Sequence, residues 1–442
     1  MYSAWHTIMY NLVSFAGIFV LMFIAWVMSA DRKTVNWRVV VWGTALQLVF
    51  ALFIFVVPTG SQTFLFINDA VVKVLDSAGA GTRFVFGRLA LPPGTRNEAG
   101  EESLGFILAF QAFPAIVFFA SLMAVLYFAG VMPRLIRLFS RAFTKLMRIS
   151  GAESLSVSSN IFVGVEANMT VLPYLKTMTR SEFCTILSAG MSTTASNVLA
   201  LYVFLLRGQF PTIAGHLVSA SVLSAIAAIV MSKIILPEKE KPETYGVDVA
   251  PYYKKESGIM EAIINGANEG VKMVIGIVAL LLAFLGIVSL IDLVIEGTGL
   301  HLNMLTGLSI DWSLKGLLGY LFYPLALVIG VPPSDAYEIA KLIGERVVLT
   351  EVKSYQDLAA LLSQNVLKNS RSAVLAAYAL CGFAHVASLA IFVGGTAALV
   401  PERTKDLSAV GLRALIAATL ACLMTAAVAG TFFTEGSILL GR

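Results

Sequence analysis

The sequence predicts an all-α membrane protein in which eight spanning helices and two re-entrant hairpins form an inverted repeat. Apolar residues make up 58% of the 442-residue chain and charged residues 13%, against roughly 25% charged in an ordinary soluble domain. The mean hydropathy is +0.83. One soluble core does not hide so much apolar surface, so we expect a lipid bilayer to cover it. The net charge of only +4 gives no reason to expect nucleic acid as a partner.

Eight apolar runs have the length of about 20 residues that a spanning helix needs. They cover residues 11–30, 39–57, 106–130, 183–206, 213–231, 273–295, 373–393 and 414–433. Lysine and arginine concentrate in alternate connections, at residues 32–38, 134–148, 239–255 and 403–405, and the exceptions, within residues 341–371, are expected on or near a segment that enters from outside. Because such basic connections stay on the cytoplasmic side, we expect both termini on the periplasmic face of a bacterial inner membrane.

Two further segments are too polar to face lipid and too apolar to be plain loops. Residues 151–178 include a run of serines with Asn160 and Glu166, and residues 333–362 carry Thr350 and Glu351 within an apolar stretch. Each segment is typical of a re-entrant hairpin, with two short half-helices and a polar tip. A surface loop with a short helix is the alternative interpretation.

The two halves of the chain match in layout. Residues 106–231 and 273–433 each contain a spanning helix, an interfacial stretch, a hairpin and two more spanning helices. The first hairpin starts inside and the second outside, so the repeat is inverted, and such repeats place substrate and ion sites near the midplane. The predicted segments are two scaffold helices (1–60), an interfacial segment with the third spanning helix and a basic amphipathic helix (61–150), the first hairpin with transport helices (151–235), a cytoplasmic loop with the sixth spanning helix (236–315), and the second hairpin with transport helices (316–442).

The tip of the first hairpin is the first candidate site. An ionisable residue at membrane depth costs about 2.5–3.5 kcal/mol on insertion scales, so its presence favours a function. Asn160 offers a side-chain oxygen, and the backbone near Val163 offers carbonyls freed where the helix breaks; such hard oxygen ligands suit a sodium ion. The alternative is that Asn160 caps the second half-helix and that Glu166 lies in its first turn, where the helix dipole favours it.

Three more groups of polar residues lie at membrane depth. The fourth run holds five polar residues within positions 192–197, which either bond back to their own helix or mark an unwound turn. Glu351 can accept two hydrogen bonds from vicinal hydroxyls such as those of ribose, or it is an exposed loop residue. His385 and Ser388 share a helix face at i, i+3, although a lone membrane histidine often serves only helix packing.

Several short sequence motifs resemble those of the concentrative nucleoside transporter family. The family reads NIFVGQTEAP where this chain has residues 160–167, and its MTRSE is matched by residues 178–182. Its GYALCGFANFSS is matched by AYALCGFAHVAS at residues 377–388, and its GEKLALNEF by residues 344–352. The resemblance covers roughly residue 106 to the C-terminus, and these motifs occur in the same order as in the family.

The resemblance implies a homotrimeric transporter that imports nucleosides by sodium symport in an elevator motion, and not an enzyme. Its sodium site is matched by Asn160, Thr193 and the carbonyls of Val163 and Thr194. The resemblance also assigns substrate roles to six residues. Glu166 matches the residue that reads the nucleobase, Val198 and Phe383 match apolar walls, and Glu351, His385 and Ser388 match the ribose-binding residues.

Two departures from the family leave the preferred base open. The family's Gln-Thr before Glu166 is a single Val165 here, which we include as a seventh predicted substrate residue because it stands where the family reads the base, and the family's ribose asparagine is His385. Proton coupling is the alternative to sodium, because a histidine can gain a proton near physiological pH. A channel or a membrane enzyme fits less well, since two inverted hairpins favour alternating access and no metal helix or phosphate loop is present in the sequence.

Overall fold

The computed structural model describes residues 2–97, 100–253, 256–307, 309–435 and 437–440, which form seventeen α-helices and four short 3-10 helices without a β-strand. The α-helices are α1 (Tyr2–Val27), α2 (Trp37–Phe55), α3 (Pro58–Phe86), α4 (Leu108–Gln111), α5 (Phe113–Phe128), α6 (Val131–Met147), α7 (Gly151–Asn160), α8 (Arg180–Ser192), α9 (Ser196–Leu206), α10 (Ile213–Ile235), α11 (Ile259–Thr306), α12 (Leu314–Val328), α13 (Pro333–Val348), α14 (Glu351–Ser363), α15 (Ser370–Leu380), α16 (Val386–Leu399) and α17 (Thr404–Thr431).

The eight predicted spanning runs each fall on a helix or a helix pair. In the described part of the chain, seven spans are long and apolar enough to cross a membrane, including the pairs α4/α5 and α8/α9. The eighth run, 373–393, falls on the shorter helices α15 and α16. α11 is much longer than the predicted 273–295: its 48 residues give a length of about 72 Å, more than twice the ~30 Å hydrocarbon core.

The chain forms an inverted repeat of two matching halves. In the first half, α5 leads through α6 to a hairpin, to the broken pair α8/α9 and to α10. In the second half, α11 leads through α12 to a hairpin, to the pair α15/α16 and to α17. α10 lies at the centre, with 94% of its most apolar window buried inside this chain, whereas the corresponding share for α11 is 6%. The outer face of α11 therefore needs lipid or another copy to cover it.

Both hairpins have the predicted polar tips, but they differ in their second halves. The first hairpin runs from α7 into a 3-10 helix, Val165–Tyr174, in which Val171 departs from helical geometry just before Pro173. The second hairpin consists of α13 and α14, and Thr350 caps α14 by accepting a hydrogen bond from the Lys353 amide (3.5 Å). Asn160 is the last residue of α7 and does not cap the second half, so that part of the alternative is wrong, whereas Glu166 does lie in the first turn of the 3-10 helix.

The prediction of one uninterrupted helix over 373–393 is wrong in its middle. α15 ends at Leu380 and α16 begins at Val386. Gly382, at φ +108°, requires the absence of a side chain, because an added Cβ would lie 2.4 Å from the Ser192 carbonyl oxygen. His385 and Ser388 consequently do not share a helix face as predicted. His385 is instead the N-cap of α16, and it forms a capping box with Ser388.

Candidate functional site

A cavity of ≈ 140 Å³ lies where the two hairpin tips and the two broken helices meet. Ala195, Thr350 and His385, the N-cap residues of α9, α14 and α16, all line it. Three helix N-termini therefore converge on the cavity, and their positive dipole ends favour negative groups there. Two carboxylates, Glu166 and Glu351, occupy that position.

Six of the seven predicted substrate residues line this cavity together. They are Glu166, Val198, Glu351, Phe383, His385 and Ser388. The seventh, Val165, opens the 3-10 helix of the first hairpin, and its side chain lies outside the part of the chain that the structure describes. The sequence places these residues up to 222 positions apart, and the two breaks in the helices bring them together.

The Glu351 side chain is buried and contacted from two sides. It is only 3% exposed, and Tyr202 donates its hydroxyl hydrogen to Oε1 over 2.7 Å. His385 Nε2 lies 3.0 Å from the other carboxylate oxygen, Oε2. The alternative of an exposed loop glutamate is therefore wrong. Burying a carboxylate is costly unless hydrogen bonds compensate it. The Tyr202 hydrogen bond supplies part of that compensation, whereas Oε2 has the nearby His385 nitrogen but no well-aligned hydrogen bond among the described residues.

Tyr202 and one face of α11 were missed by the sequence reasoning. Tyr202 follows Val198 by four positions on α9, so both lie on one helix face. The apolar side chains of Met273, Ile277 and Leu280 form the cavity wall on α11, at the i, i+4, i+7 spacing of a helix stripe. The polar tip of a tyrosine in an otherwise apolar helix was the signal that could have identified Tyr202.

The electrostatics of the cavity exclude some ligands. Among its described lining residues are two glutamates and one histidine, but no lysine or arginine. Glu166 lines the cavity. Its Oε2 lies near Gly164, and a Cβ added to that glycine would be 3.4 Å from Oε2. A phosphorylated ligand would meet two carboxylates with no cation to offset them, so the cavity suits a neutral ligand with hydrogen-bond donors.

The predicted cation ligands lie beside the cavity, at the first hairpin tip and the α8/α9 break. Asn160 is buried, and its Nδ2 donates to the Ser156 carbonyl (3.0 Å). Its Oδ1 is buried without a hydrogen-bond partner among the described residues, and an unsatisfied buried group costs about 1–3 kcal/mol. The Thr193 hydroxyl donates to the Ala189 carbonyl (2.8 Å). The lone pairs of the Thr193 hydroxyl oxygen therefore remain for another partner.

Ser221 on α10 joins the hairpin tip to the break. Its hydroxyl lies 3.0 Å from the Ile161 carbonyl oxygen and 3.4 Å from that of Thr194. The Ser196 amide also donates to the Phe162 carbonyl (3.0 Å). Within the described residues, no group of three His, Cys, Asp or Glu side chains could hold a metal. A cation bound here would therefore use amide, hydroxyl and carbonyl oxygens, which suit hard ions.

Three family models match successive parts of the chain. Residues 16–89 match the N-terminus and residues 216–430 the C-terminus of the Na+ dependent nucleoside transporter family, and residues 109–209 match the model described as nucleoside recognition. The nucleoside permease NupC of Helicobacter pylori is 34% identical, over 96% of this chain and 98% of that protein. The mouse sodium/nucleoside cotransporter 1 is 33% identical, over 97% of this chain and 65% of the mouse protein.

Solved structures agree with these matches. The transporter CNTnw in an inward-facing, substrate-bound state has a TM-score of 0.85 and 35% identity, over 95% of this chain and 98% of that one. A variant of CNTnw in an outward-facing state has a TM-score of 0.86. None of these relatives is an enzyme by its name. Because a relative with more than 30% identity matches along almost all of both chains, this chain belongs to the concentrative nucleoside transporter family.

Proposed function

We propose that this transporter imports nucleosides across the bacterial inner membrane by sodium symport. The observation that carries the proposal is the buried carboxylate of Glu351, which lines a small cavity. Tyr202 contacts one of its two oxygens and His385 contacts the other. An ionised carboxylate can accept about four hydrogen bonds, so about two remain for the hydroxyls of a sugar. Bonds to a charged acceptor are roughly twice as strong as neutral ones.

The nucleobase lies, on this proposal, between Val198 and Phe383, and Glu166 with Val165 reads its polar edge. His385 and Ser388 border the sugar. The absence of lysine and arginine among the described lining residues argues for nucleosides over nucleotides, because a phosphate would lie near two carboxylates. We therefore expect uridine and adenosine, but not their 5′-monophosphates, to occupy the site.

Asn160, Thr193 and the carbonyls of Val163 and Thr194 are the proposed sodium ligands. The unpartnered Oδ1 of Asn160 supports this, because a bound cation would satisfy it. Entry of one charge supplies about 2.3 kcal/mol per 100 mV of membrane potential, enough to concentrate the nucleoside. The second candidate is proton symport, favoured by the contact between His385 and Glu351.

An elevator motion in a homotrimer is the proposed mechanism. α11 supplies one wall of the cavity, while the hairpins and broken helices supply the rest. Movement of the hairpin region past α11 would therefore carry the substrate away from that wall. The outer surface supports assembly, because α3, α5 and α11 border an apolar hollow of ≈ 830 Å³, which a second copy or lipid would fill. On this proposal, both termini lie in the periplasm.

Uptake by purified protein in liposomes tests the proposal. Labelled uridine and adenosine are offered under an inward sodium gradient, an inward proton gradient in potassium buffer, or neither. We expect accumulation with sodium alone, and no competition from UMP or AMP. Accumulation driven by protons in the absence of sodium would replace sodium by the second candidate. No uptake of either nucleoside under any gradient would contradict the substrate class.

A further inference from the structure

The contacts around Glu351 form a chain that starts and ends inside the protein. Tyr202, Glu351 and His385 are 0%, 3% and 4% exposed. The Tyr202 hydroxyl donates to one carboxylate oxygen and His385 Nε2 contacts the other. At the far end, the Ser388 amide donates to His385 Nδ1 over 3.1 Å. Each link of this chain is a group of the protein itself.

The Ser388 amide determines which nitrogen of His385 carries the proton. Because Nδ1 accepts a hydrogen bond, the hydrogen of the neutral ring is on Nε2. That hydrogen is the only donor of the neutral side chain, and Glu351 Oε2 lies 3.0 Å from the nitrogen that carries it. Ser388 is likewise committed, since its hydroxyl accepts from the His385 amide (3.2 Å) and contacts the Phe383 carbonyl. A His385 that donates to Glu351 therefore has no donor left for a sugar.

Tyr202 is held from its other side. Its ring stacks on Tyr355 with 4.4 Å between centroids and 28° between planes, and Tyr355 donates its hydroxyl to the Ala377 carbonyl (2.8 Å). This packing fixes the direction of the Tyr202 hydroxyl. Glu351 is consequently contacted by α9 on one side and by the start of α16 on the other, and these contacts restrict its rotamer.

We propose that His385 and Tyr202 are positioning residues that act on the substrate only through Glu351. They hold the carboxylate so that its free lone pairs face the cavity, where two adjacent hydroxyls of a ribonucleoside bind. This inference rests on the proposed function. It differs from the role that the family resemblance implies for residue 385, in which the side chain itself contacts the ribose. An asparagine at this position is too short to reach Glu351 while it also caps α16.

Binding of uridine and of 2′,3′-dideoxyuridine shows whether a residue acts at the sugar hydroxyls, and Tyr202→Phe, at a residue that is not part of the cavity lining, separates positioning from direct contact. The dideoxynucleoside lacks both hydroxyls that Glu351 would bind but keeps the base and the 5′-hydroxyl. Titration calorimetry in sodium buffer would compare the unmutated protein with Tyr202→Phe, His385→Asn and His385→Gln. We expect Tyr202→Phe and His385→Asn to weaken uridine about tenfold, the loss of one bond to a charged group, and to change dideoxyuridine binding less than twofold.

His385→Gln is the rescue variant, because its longer side chain lets an amide hydrogen reach Glu351. We expect it to bind uridine more tightly than His385→Asn does. Val198→Ala is the matched control with the opposite pattern: as part of the apolar wall, it should weaken uridine and dideoxyuridine by the same factor. Size-exclusion profiles and thermal unfolding show whether each variant is folded, and Tyr202→Phe keeps the ring that stacks on Tyr355.

Two results would overturn the inference while leaving the proposed function intact. If His385→Asn weakened dideoxyuridine as much as uridine, His385 would contact a part of the ligand other than the two sugar hydroxyls and would not act through Glu351. If Tyr202→Phe and His385→Asn changed neither ligand, Glu351 would not need positioning. If the unmutated protein bound no nucleoside at all, the proposed function itself would fail, and that outcome is distinct from the other two.

Discussion

Replacement of Asn160 by alanine should weaken sodium binding without weakening the fold. The substitution removes the hydrogen bond from Nδ2 to the Ser156 carbonyl, worth about 1 kcal/mol. It also removes the buried Oδ1 that has no partner among the described residues, which relieves a cost of about 1–3 kcal/mol. These two effects nearly cancel in potassium buffer, where no sodium occupies the site, so the free energy of unfolding should change little there.

Sodium should then distinguish the variant from the unmutated protein. Sodium at 100 times its Kd stabilises a protein by about 2.7 kcal/mol, and loss of one of a few oxygen ligands should weaken the site about tenfold, equivalent to about 1.4 kcal/mol. Thermal unfolding across a sodium titration measures this: we expect the curve for Asn160→Ala to shift to about tenfold higher sodium. The half-maximal sodium concentration for uridine uptake should shift alike.

Asn168→Ala is the matched control, because this buried asparagine of the same hairpin has both polar groups bonded. Its Oδ1 accepts from the Ser156 hydroxyl and its Nδ2 donates to Thr396, each over 2.8 Å. We expect Asn168→Ala to destabilise the protein by about 1–3 kcal/mol in potassium and to leave the sodium midpoint unchanged. An unshifted sodium curve for Asn160→Ala, or a loss of stability equal to that of the control, would refute the reasoning.

Three further predictions concern charged side chains. Glu351→Gln should abolish uridine uptake while its size-exclusion profile stays normal, because a neutral amide loses the charge-assisted bonds; near-normal uptake would contradict a sugar-binding role. Glu166→Ala should change the ratio of uridine to adenosine uptake, and an equal loss for both would count against base reading. In the unmutated protein Lys233 Nζ lies 2.7 Å from Oε1 of the buried Glu153. Lys233→Met should destabilise the fold by about 3–5 kcal/mol, because it leaves this carboxylate unpaired. The double variant Lys233→Met with Glu153→Leu should recover most of that loss in thermal unfolding.

The sequence predicted those features that leave a local signature. The break between α8 and α9 was foreseen as one of two interpretations, because Thr193 and Thr194 interrupt an apolar helix with groups that lipid does not satisfy. The second break was missed, since residues 381–385 are mostly apolar and only the positive φ of Gly382 enforces it. A run of apolar residues predicts a spanning segment but does not show where its helix breaks.

Long-range contacts explain the remaining misses. Tyr202 and Glu351 are 149 residues apart, and neither local spacing nor hydropathy indicates that they meet. The extra length of α11 escaped prediction because its first turns are polar, although they pack tightly on α5. There, a Cβ at Gly266 or Gly270 would lie 2.7 Å from a backbone atom of α5, the close approach that small residues four apart permit.

α9 connects the proposed cation site to the sugar-binding carboxylate, and this connection predicts how the two ligands influence each other. Thr194 lies in the gap just before α9, and Tyr202 lies about two turns further along it and holds Glu351. Sodium that orders the gap should therefore fix Tyr202 and raise the affinity for uridine, typically by about 5–150-fold for coupled sites. Because coupling is reciprocal, uridine should raise the affinity for sodium by the same factor.

Tyr202→Phe should reduce both effects equally and leave sodium binding in the absence of uridine unchanged. Calorimetric titration of each ligand with and without the other measures the factor, and independent binding in the unmutated protein would show that α9 transmits nothing between the sites.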